Sequence, residues 1–115
     1  MDFKSTTREE NGITIFNIEE SAINHNNAAI LKDNLFTEVT AGRNRIILLM
    51  GKVKEMDSSG LGAILFGKRQ ADNAGGGLVL VKVNDTIKTM FRIAQLSRVM
   101  DICNTVDEAL KLFRQ

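Results

Sequence analysis

The side chains best placed to do chemistry in this chain lie in one run, Met56-Asp57-Ser58-Ser59-Gly60-Leu61-Gly62. An aspartate followed by two serines puts one carboxylate and two hydroxyls on successive residues. The apolar run 46–50 before it reads as a buried strand, and the residues after it have helical spacing. Asp57, Ser58 and Ser59 therefore fall where a helix begins, with unsatisfied N–H groups and the positive end of the dipole facing outward. Two chemistries fit that position. A side-chain oxygen can cap the helix, or a serine can carry a phosphate that the helix N-terminus receives well. A cap is worth about 1 kcal/mol and needs only one hydroxyl. Two serines after an aspartate exceed that need.

The surrounding elements follow from periodicity and turn chemistry. Residues 3–7 and 13–18 are short extended runs separated by Glu9-Glu10-Asn11-Gly12, which predicts an antiparallel hairpin. Asn24, Asn26 and Asn27 offer caps for a helix whose apolar face is Ala28, Leu31, Leu35 and Val39, and Gly42 is placed to end it. The run 46–50 lacks polar alternation, as a central strand covered on both faces should. The next helix starts near Ser58, carries Leu61, Ile64, Leu65 and Lys68 along one side, and breaks at Gly75-Gly76-Gly77. A second buried strand covers 78–83. Asn84 or Asp85 caps a third helix with the face Ile87, Met90, Phe91 and Ala94. Residues 99–102 read as a short edge strand. Thr105 and Glu108 form a capping box for a last helix that buries Val106, Ala109, Leu110 and Phe113.

The order β-β-α-β-α-β-α-β-α predicts an α/β fold with packed helices and a mixed, mainly parallel sheet. Its core should include Ile15, Leu31, Ile47, Leu49, Leu65, Leu80, Phe91 and Leu110. In such sheets the loops after strand C-termini gather at one edge. The Asn24–His25 loop and the Asp57–Ser58 loop should thus be neighbours. One domain is expected over residues 1–115.

Bulk properties narrow the function classes. The 15 basic and 14 acidic residues leave a net charge of +1 with no basic stripe, so direct nucleic-acid binding has no electrostatic source. The absence of Trp and Tyr removes a stacking platform for single strands. No apolar segment approaches the roughly 20 residues of a membrane span, and Met1-Asp2-Phe3-Lys4 has no signal-peptide character. A cytoplasmic location without membrane insertion is expected. Cys103, alone in the sequence, reads as a buried and inert thiol, with neither a disulfide nor a metal in view.

Other side chains read more plainly. The one histidine, His25, shares an edge with Ser58, which makes a serine hydrolase pair conceivable. No Gly-x-Ser-x-Gly elbow or oxyanion arrangement accompanies it, and a solvated loop histidine is the simpler reading. Gly75-Gly76-Gly77 lacks the Gly-Lys-Ser/Thr ending of a nucleotide loop and reads as a turn. Lys68 and Arg69 read as a solvated helix face. Gly67 is expected to serve close packing of helix on sheet. Gly60 and Gly62 are expected, in part, to let a partner's backbone approach the first turn.

The sequence resembles the STAS family, the anti-sigma factor antagonists and their relatives. The resemblance is dense at Met56-Asp57-Ser58-Ser59-Gly60-Leu61-Gly62. It runs through the Gly75-Gly76-Gly77 turn and the Ile87-to-Leu96 helix to Glu108-Ala109-Leu110, covering nearly the whole chain. It implies a partner switch, not an enzyme, and no cofactor. In bacterial members the serine after the motif aspartate, here Ser58, is phosphorylated by an anti-sigma factor serine kinase, and a serine phosphatase reverses this. The unphosphorylated form binds the kinase and frees a sigma factor. The implied partner-binding residues are Asn24, Asp57, Ser58, Ser59, Gly60, Leu61 and Gly62; self-association is not indicated. One departure stands out: where many members have Gly-Glu-Leu-Asp, this chain has Ser21-Ala22-Ile23-Asn24. That leaves room for an alternative, a STAS component of a membrane-lipid ABC transport complex that docks on its ATPase subunit.

Overall fold

The computed structural model describes residues 3–114; Met1 and Asp2, part of the segment read for targeting signals, and Gln115 lie outside the described residues. The chain opens with a hairpin of β1 (Ser5–Glu10) and β2 (Ile13–Ile18). Its turn is only Asn11-Gly12, both at positive φ (55° and 78°), because a tight turn of this hand needs just two residues. Glu9 and Glu10, expected in the turn, instead extend β1 and pair with Thr14 and Ile13. There follow β3 (Ala22–Ile23), α1 (Ala28–Thr40), β4 (Arg45–Leu49), β5 (Glu55–Met56), α2 (Ser58–Asn73), β6 (Gly77–Val81), α3 (Asp85–Ile93), β7 (Asp101–Cys103) and α4 (Val106–Phe113).

The main sheet has the order β1-β2-β4-β6-β7, with β1 antiparallel and every other pairing parallel. This is the mixed, mainly parallel α/β sheet that the element order requires. The edge strand expected over 99–102 is displaced to Asp101–Cys103, leaving Val99 exposed. Two strands were not anticipated. β3 and β5 are two residues each and form a separate parallel ladder, Ala22 with Glu55 and Ile23 with Met56. Elements that short carry no periodicity to read.

The pleat divides the core. On one face Ile46 and Leu48 of β4, with Phe16, Ile18, Leu78 and Leu80, pack against Leu31, Leu35, Ile64, Ile87 and Phe91 from α1, α2 and α3. On the other, Ile13, Ile15, Ile47, Val79 and Val81 meet α4 alone, through the buried Ala109 and Leu110 and the half-buried Val106 and Phe113. That helix has 8 residues. At about 12 Å it is too short to cover the sheet. Leu49 is therefore only partly buried, contrary to expectation, and lines a shallow cleft with Thr7, Arg8 and Asn17. Leu65 is also half-buried, packed at the margin of the larger core. Ala94 departs from the expected α3 face: it is the C-cap, beyond the last helical turn, and exposed.

Gly42 ends α1 as anticipated. With φ at 92° it lets its own N–H reach Val39 O and the Arg43 N–H reach Glu38 O, which satisfies the last carbonyls of the helix.

Candidate functional site

The short β3–β5 ladder builds the site. It ends where the Asp57 N–H donates to Ile23 O at 3.1 Å, which fixes the loop after β3 beside the start of α2. Asp57 is extended (φ −104°, ψ −175°) and is the N-cap of α2. Its Oδ1 accepts from the N–H groups of Ser59 (2.8 Å) and Gly60 (3.3 Å), and its Oδ2 from the His25 N–H (3.1 Å). One carboxylate thus joins two loops far apart in sequence, as the shared sheet edge requires. Burial pushes the Asp57 carboxyl up. The donors Gly60, Ser59 and His25, with the His25 imidazole 3.7 Å away, outweigh it and hold the pKa below the ordinary aspartate value.

Ser58 is therefore not the cap, one of the two roles its position allowed. It is the first helical residue, exposed, and its hydroxyl takes no part in the capping that Asp57 performs. Ser59 is exposed beside it, giving its backbone N–H, not its hydroxyl, to the cap. The half-buried Asn24 organises its own loop: its Oδ1 accepts from the Asn26 N–H at 2.9 Å, and its N–H donates to Asn27 Oδ1 at 2.9 Å. The Asn27 side chain is thereby held by the loop and makes no cap bond to α1. The exposed His25 turns its imidazole toward Asp57. Among the described residues its polar partner is Asp57, through the backbone N–H and the imidazole, and no hydrogen bond joins it to Ser58.

The glycines of the motif differ in kind. A Cβ on the buried Gly60 would lie 2.5 Å from Met56 Cγ and 2.8 Å from Ile23 Cγ2. Its smallness serves internal packing of α2 on the β3–β5 ladder. Gly67 serves close packing, but chiefly of helix on helix: a Cβ there would lie 2.6 Å from Leu35 Cδ1 of α1, and 3.4 Å from Leu78 Cδ1 of β6. Gly62 is exposed, and such a Cβ would meet nothing within 4 Å. Leu61 between them is half-buried.

A cleft of about 370 Å³ separates the first turns of α1 and α2, lined by His25, Ala29, Lys32, Ser59, Gly62 and Ala63. Lys32 lies with Nζ 4.6 Å from the Phe66 ring centroid, and Phe66 in turn packs on the exposed Phe36. Sequence reasoning missed Lys32 and the two phenylalanines. The i, i+4 spacing of Lys32 and Phe36 was the available signal, but it does not say which helix lies opposite.

Elsewhere the sequence reading is adjusted in detail. The N–H groups of Gly75, Gly76 and Gly77 donate to Asp72 O, Ala71 O and Asn44 O, so the glycine turn offers none of them to a phosphate. Lys68, expected on a solvated face, is largely covered and bonds Asp72 at 2.7 Å. Cys103 is partly buried on the edge strand. Burial, and then Glu108 and Asp101, push its thiol pKa up and keep it protonated at neutral pH. Among the described residues no cluster of His, Cys, Asp and Glu could hold a metal ion, and no helix is long and apolar enough to cross a membrane.

The family profile of the STAS domain matches residues 4–109. A Thermotoga neapolitana protein provisionally named an anti-sigma factor antagonist is 32% identical over 90 residues, which is 77% of this chain and 80% of that one. The crystal structure of a Thermotoga maritima protein, also provisionally named an anti-sigma factor antagonist, superposes with a TM-score of 0.86 at 25% identity, covering 96% of this chain and 95% of that one. The Bacillus cell fate determinant SpoIIAA in its phosphorylated form shares the fold, with a TM-score of 0.71 at 20% identity over 94% of this chain and 97% of its own.

Proposed function

The chain belongs to the STAS domain family, and from that premise we propose that it is an anti-sigma factor antagonist working as a partner switch. Unphosphorylated, it binds an anti-sigma serine kinase and so frees a sigma factor. Transfer of the γ-phosphoryl group of ATP to Ser58 Oγ ends that binding, and a serine phosphatase restores it. The kinase supplies ATP and Mg²⁺; this chain is substrate and binding module, brings no catalytic residue, and acts in the cytoplasm. Its STAS unit takes in residues 1–115, and Asn24, Asp57, Ser58, Ser59, Leu61 and Gly62 face the partner, with Gly60 packed beneath them.

The observation that carries this reading is the division of labour at α2. Asp57 alone caps the helix, so the Ser58 hydroxyl stands exposed at its positive end. A phosphate there adds about −1.5 to −2 charge. The fold tolerates that charge, since negative groups near a helix N-terminus are stabilising by about 0.3–1 kcal/mol. A partner packed over Leu61 and Gly62 does not.

The test is a pull-down from native extract, followed by incubation of the recovered kinase with the protein and ATP. One phosphate is expected, at Ser58 by peptide mass spectrometry, with loss of kinase binding. Ser58→Ala should stay binding-competent and Ser58→Asp should be blocked only partly, because one carboxylate carries less charge and fewer acceptor oxygens than a phosphate. Asn24→Arg should weaken the complex with the melting temperature nearly unchanged. Phosphate at Ser59, or phosphorylated Ser58 with undiminished binding, rejects the mechanism.

A further inference from the structure

The far end of α3 carries a second surface that the Ser58 edge does not use. The N-terminus of α3 is tied to that edge, where the Asn84 side chain donates to Val53 O and Lys54 O. Nine residues later, about 13 Å along the axis, the helix ends in a cleft of about 460 Å³ lined by Arg92, Gln95, Ser97 and Arg98. All four lining side chains are polar and none is acidic. Among the described residues neither guanidinium lies within ion-pair distance of a carboxylate; Arg92 reaches only Thr89 Oγ1, at 3.4 Å. Next in sequence to Arg92 and Arg98 are Ile93, 76% exposed, and Val99, 50% exposed, the two most exposed large hydrophobic residues described.

The backbone adds an independent sign. The helix closes with the Gln95 N–H on Arg92 O and the Leu96 N–H on Phe91 O, which puts Gln95 in the left-handed region at φ 62°. Glycine is the residue favoured at that position, and a branched or long side chain there is held at a cost. At the equivalent ends of α1 and α2 this chain has Gly42 and Gly75. At the end of α3 it keeps an amide that lines the cleft.

We propose that the cleft formed by Arg92, Gln95, Ser97 and Arg98 is a docking site for an acidic segment of a protein partner, with apolar residues flanking its carboxylate. Charge complementarity decides the occupant. Two guanidiniums, unpaired among the described residues and each with a fixed fork of donors, match a carboxylate, while the amide and hydroxyl can complete its hydrogen bonds. Ile93 and Val99 bury the flanking apolar residues. An anionic membrane fits less well, because two basic side chains and two aliphatic ones give too little attraction for stable attachment. The site is separate from phosphorylation of Ser58 and does not depend on it.

The test uses the full chain, ¹⁵N-labelled, titrated with a synthetic peptide of alternating Leu and Glu and with its Leu and Lys counterpart. Saturable shifts confined to the amides of residues 92–99 are expected with the acidic peptide, about tenfold weaker with the basic one and weaker at high salt. Arg92→Glu combined with Arg98→Glu should abolish them with the melting temperature little changed. Gln95→Gly is the sharpest variant: it should raise the melting temperature by relieving the left-handed backbone, yet weaken peptide binding roughly fivefold. Ser58→Asp should leave the titration unchanged, so this site and the phosphorylation switch can fail separately. Equal binding of both peptides, shifts elsewhere only, or undiminished binding by Gln95→Gly overturns the proposal. Perturbation of the same amides by phosphatidylglycerol vesicles, with none by the peptide, replaces it with a membrane contact.

Discussion

The starts of α2 and α4 are both capped, by different means. At α4, Thr105 Oγ1 accepts from the Glu108 N–H at 3.1 Å, and Glu108 Oε1 accepts from the N–H groups of Asn104 and Thr105 at 2.8 and 3.2 Å. Every partner lies within four residues, and the capping side chains are all consumed. At α2, Asp57 alone takes two N–H groups of its own helix and a third from His25, 32 residues away. The first design closes a helix end. The second holds two loops together and leaves two hydroxyls exposed in front of the dipole. A local cap makes a stop, whereas a cap shared between loops makes a site.

The largest effect should come from filling the space under the α2 cap. Gly60→Val forces side-chain carbon against Met56 and Ile23 and should destabilise by about 1–3 kcal/mol in chemical denaturation. Loss of less than that would mean the β3–β5 ladder yields easily, and the contrast with Gly62 would collapse.

Asp57→Ala comes next. It removes an acceptor of three N–H groups and should cost more than Thr105→Ala, which deletes half of a local box. Acid sharpens the comparison. The Asp57 pKa is depressed in the folded state, so its contribution is fully present above the ordinary value of 3.8 and is lost as pH falls through the depressed one. The stability difference between wild type and Asp57→Asn should therefore be present in full above 3.8 and shrink as pH falls from there through the depressed value.

Thr105→Ala itself should cost about 1 kcal/mol by thermal or urea unfolding. It should leave the amide signals around Asp57 and His25 in place. A disturbance reaching that edge would show the two helix starts to be coupled.

Gly62→Ala reverses the sign. Nothing stands within 4 Å of the new methyl, so it should stabilise α2 by roughly 0.5–1 kcal/mol. The smallest effect belongs to Ser58→Ala, within about 0.5 kcal/mol of wild type, as for an exposed residue outside the cap. A larger loss would return Ser58 to the cap and remove the distinction from α4.

What could be read from the chain alone was whatever its neighbours in sequence decide. Asn11-Gly12 announces its turn, Thr105 and Glu108 their box, and Gly42 and Gly75 the ends of their helices, because every hydrogen bond concerned spans a few residues. The uninterrupted apolar runs of β4 and β6 likewise announce burial on both sides. The motif from Met56 to Gly62 was legible as a resemblance, and the shared edge of its loop with Asn24 followed from topology. Only the tertiary structure decided which oxygen caps α2, since the third donor to Asp57 comes from His25 across the sheet edge. It also separated Gly60 from Gly62, which look alike in sequence, by putting Ile23 beneath one and solvent beside the other. Leu49 belongs to an apolar run but is left half-covered because α4 is too short to reach it. In each of these cases the deciding atoms lie far along the chain, and only folding brings them within bonding or packing distance.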